Sequence, residues 1–296
     1  MSSSEGKYAV GFIGIGMMGL PMATRIATHG YPLHAYDTSQ AALTAVCAVS
    51  GVRAAASLAD IGRGCAVVIL MLPDSTVVKK VLFGDKDALS AHLKKGSVVI
   101  DMSSSNPSVT RELGPRLQAA GVGFIDAPVS GGVKRAIDGS LAIMAGGEPA
   151  VIAPVKPLLL TMGKAIIETG MLGSGHAMKA LNNYVSAAGL LAACEALKVG
   201  EDFGIAPDKI VAVLNASTGK NNATENKLMQ FVVPASFNSG FALALMRKDI
   251  NIATDLAQSL GSKTLLGQAL LKAWTDADAK LGSGADHTEI FRMLEL

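Results

Sequence analysis

The sequence predicts an α/β domain followed by an all-α domain, on three observations. Residues 8–30, YAVGFIGIGMMGLPMATRIATHG, run from a short apolar segment through Gly14, Gly16 and Gly19 into an amphipathic stretch. From there to about residue 170, short apolar runs alternate with helix-forming stretches, as expected of strands joined by crossover helices. Beyond that point the strand-like runs stop, and residues 176–203 are almost unbroken helix former. The expected architecture is therefore a Rossmann-type doubly wound sheet over residues 1–170. An all-α substrate and oligomerisation domain follows over residues 171–296, opened by a long inter-domain helix.

The glycines carry the first element. A strand, a G-x-G-x-x-G turn and a helix in that order form a dinucleotide-binding start. Gly14 permits the tight turn, Gly16 the approach of a pyrophosphate, and Gly19 close helix–strand packing. The helix N-terminus offers free N–H groups to the anion, and Pro21 fits because the first helical N–H groups have no partner to lose. Residues 31–37, YPLHAYD, read as a second strand ending on Asp37, 18 residues past Gly19. A carboxylate there suits the adenosine ribose hydroxyls and favours NAD, because it repels the extra phosphate of NADP.

The later elements follow in order. Ser57 to Asp60 reads as a capping box. Residues 65–72, CAVVILML, are an apolar run closed by Pro73, as in a central parallel strand, and Asp74 caps the next helix. Strands are expected at 97–101, 123–127, 141–145 and 165–169, with helices opened by Pro107 and Pro149. Past the long helix, further helices are expected near Pro207, Ala242, Ser262 and Asp286.

Composition excludes several function classes. Half of the 296 residues are hydrophobic and 17% are charged, so a large buried core is expected and disorder is not. A net charge of +2, no Lys/Arg run longer than two and 4% aromatics argue against a nucleic-acid surface. The longest apolar run, 65–72, is too short to cross a bilayer. The polar head MSSSEGK resembles no targeting peptide, and Cys47, Cys65 and Cys194 read as buried reduced thiols of a cytoplasmic protein. The five histidines lack ligand spacing, so no metal is expected.

Two loops and a helix are chemically conspicuous. Residues 126–132, DAPVSGG, follow a strand as a Pro/Gly loop, and Ser130, Gly131 and Gly132 expose consecutive N–H groups suited to a carboxylate. On the helix from GSGHAMKALNN, Lys179, Asn182, Asn183 and Ser186 share one face. This stripe has no acidic partners, which fits a face lining a cleft better than a solvated one. LMRKD, residues 245–249, adds a charge cluster.

Together GFIGIGMMGLPMA, MLPD, DAPVSGG, GSGHAMKALNN and LMRKD resemble the β-hydroxyacid dehydrogenase family, which includes 3-hydroxyisobutyrate dehydrogenase and tartronate semialdehyde reductase. The resemblance covers most of the chain, in order. It implies that Gly14, Gly16, Met17, Met18, Gly19 and Asp37 hold the phosphates and adenosine ribose of NAD, NADP not being excluded. Leu72, Pro73, Ser104 and Lys248 are then further cofactor contacts. Ser130, Gly131, Gly132 and Asp249 contact a small carboxylate substrate, Lys179 is the acid/base, and Asn183 orients the substrate. It also implies a homo-dimer or homo-tetramer. The lysine role has its own chemical logic: a lysine in a closed cleft near a cation is pushed toward a working pKa.

The family pattern is not followed throughout. Ser104 stands where Thr is common, and Asn106 where Ser or Asp is usual. Residues 215–227, NASTGKNNATENK, differ from 3-hydroxyisobutyrate dehydrogenases, which leaves the hydroxy acid open and makes Asn221, Asn222 and Lys227 further substrate-side candidates. STGK within it is no P-loop, because Leu214 replaces the first glycine. A 6-phosphogluconate dehydrogenase-like enzyme, an imine-reducing enzyme and a non-catalytic dinucleotide sensor or scaffold are the alternatives.

Overall fold

A computed structural model describes residues 7–84, 87–282 and 284–295, so the expected polar head lies outside the described residues except for Lys7. The chain divides into two compact units, Met1–Lys179 and Ala180–Leu296.

The first unit is built on β1 (Val10–Ile13), β2 (Leu33–Tyr36), β3 (Val52–Ala54), β4 (Val67–Leu70), β5 (Val98–Asp101) and β6 (Gly123–Asp126). These lie parallel in the order β3-β2-β1-β4-β5-β6. The crossovers are α1 (Gly19–Thr28), α2 (Gln40–Cys47), α3 (Leu58–Gly64), α4 (Ser75–Phe83) and α5 (Pro107–Ala119). Strand residues alternate between two cores. Phe12, Ile69, Ile100 and Ile125 enter one, and Ile13, Val68, Leu70, Val99 and Phe124 the other. A strand buried on both faces needs apolar residues at every position, which is why 65–72 is unbroken. Of the expected caps, Asp74 accepts from Thr76 and Val77 N–H, and Ser57 accepts from Asp60 N–H as one half of the expected box, the Asp60 carboxylate meeting Arg63 instead.

Beyond β6 the sheet changes direction. β8 (Leu141–Gly146) runs antiparallel to β6, and β9 (Gly163–Gly170) pairs parallel to β8 after α7 (Pro149–Leu159). The DAPVSGG run is consequently not the plain loop expected. Its Val129–Ser130 form a short strand, β7, on β8, and Gly132 opens α6 (Gly132–Asp138). Asp126 pairs with Gly146, Met144 N–H bonds Pro128 O, and Ser130 pairs with Ala142, so one antiparallel register continues across Pro128. Proline lacks an N–H, and its carbonyl alone carries the ladder at this point.

A single helix, α8 (Ser174–Asp202), 29 residues and about 43 Å long, leaves the first unit and enters the second. The second unit adds α9 (Pro207–Ala216), α10 (Asn222–Asn226), a π-helical turn (Leu228–Val232), α11 (Leu243–Ser259), α12 (Gly267–Leu281) and a closing 3-10 helix (His287–Leu294). Leu190, Cys194, Leu228, Leu243, Ile250 and Trp274 lie in its core. The helix expected at Ser262 starts at Gly267, where Thr264 Oγ1 packs closely, 2.6 Å from where a Cβ would stand. Among the described residues no helix is long and apolar enough to cross a membrane.

Residues 215–227 are tied into this unit. Asn221 caps α10, accepting from Ala223 and Thr224 N–H, while Asn222 is exposed. Lys227 Nζ lies 2.7 Å from Nε2 of buried His287. Burial pulls the Lys227 ammonium down to about 8 from its ordinary 10.5. Between those pH values the unfolded chain holds a proton that the folded chain has released, so this group's contribution to stability grows as pH rises from about 8 to 10.5. Denaturant unfolding of wild type and Lys227→Met at pH 7.5 and 10.5 is expected to show the wild type gaining on the variant by on the order of 2 kcal/mol. A constant difference would contradict the shifted lysine.

Candidate active site

The parallel strands end level with one another, with Ile13, Leu70, Asp101 and Asp126 in register. The segments that follow them therefore share the carboxyl edge of the sheet, where open α/β folds bind ligands. At this edge the glycine turn folds as its spacing requires. Gly14 has φ 98°, and a Cβ there would stand 2.2 Å from Met71 O; one on Gly19 would stand 1.9 Å from Gly14 O. Gly16 has nothing within 4 Å, so its missing side chain leaves open space. The helical ladder begins with Leu20 N–H bonding Gly16 O at 2.9 Å, so the amides just ahead of it have no intrahelical acceptor. Open space at Gly16 beside those amides fits a dinucleotide pyrophosphate. Met17 is exposed and Met18 half-buried in the same turn.

Asp37, at the end of β2, is held against this turn. Its Oδ2 accepts from Ile15 N–H at 2.6 Å and its Oδ1 from Ser39 N–H at 2.7 Å. A carboxylate is thus held beside the glycine turn.

Beyond β4 and β5 the loops brace each other. Leu72 N–H bonds Ser103 Oγ, and Asp101 accepts from Ser103 N–H and Ser105 Oγ. Asp101 and Ser103 are buried, whereas Ser104 and Leu72 are half-buried and Pro73 is exposed. Asn106, which departs from the family pattern, caps α5 through Ser108 N–H and donates its own N–H to Ser75 Oγ. Its departure leaves the loop anchored at both ends.

Along β7 the chain runs past the edge. Ser130 is four residues beyond Asp126 in a continuous register, about 13 Å at strand rise. Gly131 and Gly132, with φ of 135° and 67°, then turn into α6 in a conformation that favours glycine. No Cβ clash surrounds Gly132, so the backbone there is open.

The start of α8 is set by a group that the spacing of the sequence did not single out. Fully buried Asp126 accepts from Gly173 N–H through Oδ1 and from His176 N–H through Oδ2, both at 2.7 Å. Burial pushes its carboxyl up, opposed by the His176 ring and by these two donors. Gly173 has φ 88°, and a Cβ on Gly175 would stand 2.2 Å from Met144 O, which explains both glycines of GSG. The His176 ring is buried too. Its Nδ1 lies 2.8 Å from Thr110 Oγ1, and its Nε2 lies 3.7 Å from Asp101 Oδ2. Asp126 was legible only as part of DAPVSGG, and His176 only as one scattered histidine. Nothing in their spacing links residues 50 positions apart.

Lys179 follows His176 by three residues on α8 and is half-buried. Within the second unit, Asn183 is buried and donates through Nδ2 to Oδ2 of buried Asp249 on α11. The LMRKD run divides by direction: Met246 enters the core, Arg247 bonds Asp278 on α12 at 2.7 Å, and Asp249 meets Asn183, with Lys248 half-buried. The polar stripe is likewise uneven, since Asn182 is exposed and Asn183 is not.

Known proteins resemble this chain in sequence and in fold. Residues 9–173 match the family described as the NAD binding domain of 6-phosphogluconate dehydrogenase. Residues 173–294 match the one described as the NAD-binding of NADP-dependent 3-hydroxyisobutyrate dehydrogenase. The chain is 36% identical to the mitochondrial 3-hydroxyisobutyrate dehydrogenase of Rattus norvegicus over 99% of this chain and 88% of that one. It is 35% identical to 2-(hydroxymethyl)glutarate dehydrogenase of Eubacterium barkeri over 85% and 83%. The solved structure of Mycobacterium tuberculosis 3-hydroxyisobutyrate dehydrogenase with L-serine superposes with a TM-score of 0.91 at 28% identity, covering 98% of this chain and 100% of that one. The chain belongs to the β-hydroxyacid dehydrogenase family, NAD(P)-dependent oxidoreductases of small hydroxy acids.

Proposed function

We propose that this protein oxidises a small 3-hydroxy acid to its semialdehyde, and reduces the semialdehyde in reverse, with NAD preferred over NADP. The observation that carries the cofactor preference is the Asp37 carboxylate, held by Ile15 and Ser39 N–H beside the glycine turn. A 2′-phosphate brought there meets a fixed like charge, and the next three residues, Thr38, Ser39 and Gln40, offer no cation to accept it. When bound, the nicotinamide dinucleotide supplies the hydride acceptor. Gly14, Gly16, Met17, Met18 and Gly19 cradle its phosphates, and Leu72, Pro73 and Ser104 contact the rest of it.

Lys179 removes the hydroxyl proton as the substrate is oxidised and returns it in the reverse direction. The Ser130 N–H is spent on Ala142 in the β7–β8 ladder, so the Ser130 hydroxyl and the backbone N–H groups at Gly131 and Gly132 hold the substrate carboxylate; support comes from the open backbone at Gly132. Asn183, its amide fixed by Asp249, orients the substrate beside Lys179, one helical turn away.

The relatives narrow the substrate. 3-Hydroxyisobutyrate and 2-(hydroxymethyl)glutarate, in the names of two of them, share a primary alcohol on the carbon next to the one bearing the carboxylate. The same unit, with a variable substituent between alcohol and acid, is the proposed substrate here. We also propose a cytoplasmic homo-dimer or homo-tetramer. Three unpaired cysteines agree with the compartment, and exposed Val185, Val199 and Phe203 agree with burial against another copy.

A panel of 3-hydroxyisobutyrate, 3-hydroxypropionate, glycerate, serine and threonate, followed by reduced-cofactor absorbance with NAD and NADP, tests this reading. Turnover is expected with at least one acid bearing a terminal alcohol. Dinucleotide binding without turnover of any would leave a sensor or scaffold instead. Lys179→Ala is expected to bind NAD as wild type does and to lose on the order of a thousandfold in kcat. Retained turnover would remove the lysine from the mechanism. Asp37→Ala is expected to erode the kcat/KM ratio of NAD over NADP roughly tenfold, a difference of about 1.4 kcal/mol; an unaltered ratio would count against its role.

A further inference from the structure

The first turn of α8 is fastened from three sides within the first unit. Asp126, from β6, accepts from two of its N–H groups. The carbonyl of Met144, from β8, stands so close to Gly175 that a methyl group could not intervene. Thr110, from α5, meets the His176 ring at Nδ1. The ring lies between two buried carboxylates, Asp126 Oδ2 3.7 Å from Nδ1 and Asp101 Oδ2 3.7 Å from Nε2, and among the described residues Nε2 has no hydrogen-bond partner. Helix N-termini commonly rely on a local Ser, Asp or Asn for capping. Here the acceptor comes from 47 residues upstream, and it comes buried.

We propose that Asp126, with His176 and Thr110, forms a positioning clamp for Lys179. The proposal rests on the acid/base role given to Lys179 above. Lys179 lies three residues past His176, a rise of about 4.5 Å, so any tilt of the first turn is carried directly to its side chain. Both oxygens of Asp126 accept from backbone N–H groups, so the side chain acts as a double acceptor. An amide of the same shape accepts through one oxygen only and turns an NH2 group against the other N–H. That substitution costs one clamp bond and changes no volume. General acid–base chemistry is sensitive to such displacements, because about 1 Å of misplacement costs on the order of a hundredfold.

A double-mutant cycle separates this role from a general loss of structure. Asp126→Asn is expected to lower kcat 10- to 100-fold (order of magnitude) while the dissociation constant for NAD and the KM for the hydroxy acid change less than about threefold. In the Lys179→Ala background, assayed at high enzyme concentration, the same substitution is expected to lower kcat by less than about threefold, since no lysine remains to be aimed. An undiminished effect in that background, or wild-type kcat in Asp126→Asn alone, would overturn the clamp. If Asp126→Asn does not melt cooperatively, the Thr110 pair decides. Thr110→Val, which removes the hydroxyl at His176, is expected to lower kcat severalfold, and Thr110→Ser to restore it. Equal kcat in both would refute the clamp. Retention of turnover by Lys179→Ala alone would instead refute the reading on which the proposal rests.

Discussion

The two hydrogen bonds that the Asp126 carboxylate accepts from Gly173 and His176 N–H are the constraint around which the first unit closes. They join the end of a central strand to the start of the longest helix, across an interval that contains β7, β8, β9 and two helices. An ionised side chain with no exposure is costly unless its lone pairs are satisfied. Both Asp126 oxygens are satisfied by groups that a helix N-terminus must offer to something. The cost of burying the carboxylate and the need to cap the helix therefore offset each other. The glycines of GSG make this possible: one adopts φ 88°, and the other lets the helix backbone approach Met144 O.

A second economy operates at the other end of the same edge. Gly14 and Gly19 are required by contact, since a side chain at either would strike backbone oxygen, whereas Gly16 faces open space. The same turn is thus tight against the protein on one side and vacant on the other. Asp37 belongs to this arrangement. Its bond to Ile15 N–H ties the end of β2 to the glycine turn before any ligand arrives, so its charge is in place as a fixed part of the fold.

Much of this was legible in the residues. Alternation of apolar runs with helix-forming stretches located β1, β2, β4, β5, β6, β8 and β9; in β1 and β4 burial on both faces leaves no room for polar positions. The caps at Ser57 and Asp74 were legible because they act within three residues. Val129–Ser130 was not legible as a strand, since two residues flanked by proline and glycine carry no periodicity, and only β8 running antiparallel gives them a partner. The start of α12 lies at Gly267, five residues past the expected Ser262. Of the substrate-side candidates Asn221, Asn222 and Lys227, Asn221 also caps a helix and Lys227 also meets His287.

The amino-acid sequence by itself determined the glycine turn, the strand–helix alternation, the acid at position 37 and the lysine on a helix entered through two glycines. Each of these is written in neighbouring residues, through φ/ψ requirements, hydrophobic period or capping over less than two turns. Only the tertiary structure decided that Asp101, Asp126, Thr110 and His176 form one buried cluster. Their chain separations are set by intervening elements whose lengths carry no information about the contact. It is the register of β5 with β6, Asp101 beside Asp126, that brings the two carboxylates level, and the seating of α8 on β8 that brings a histidine between them.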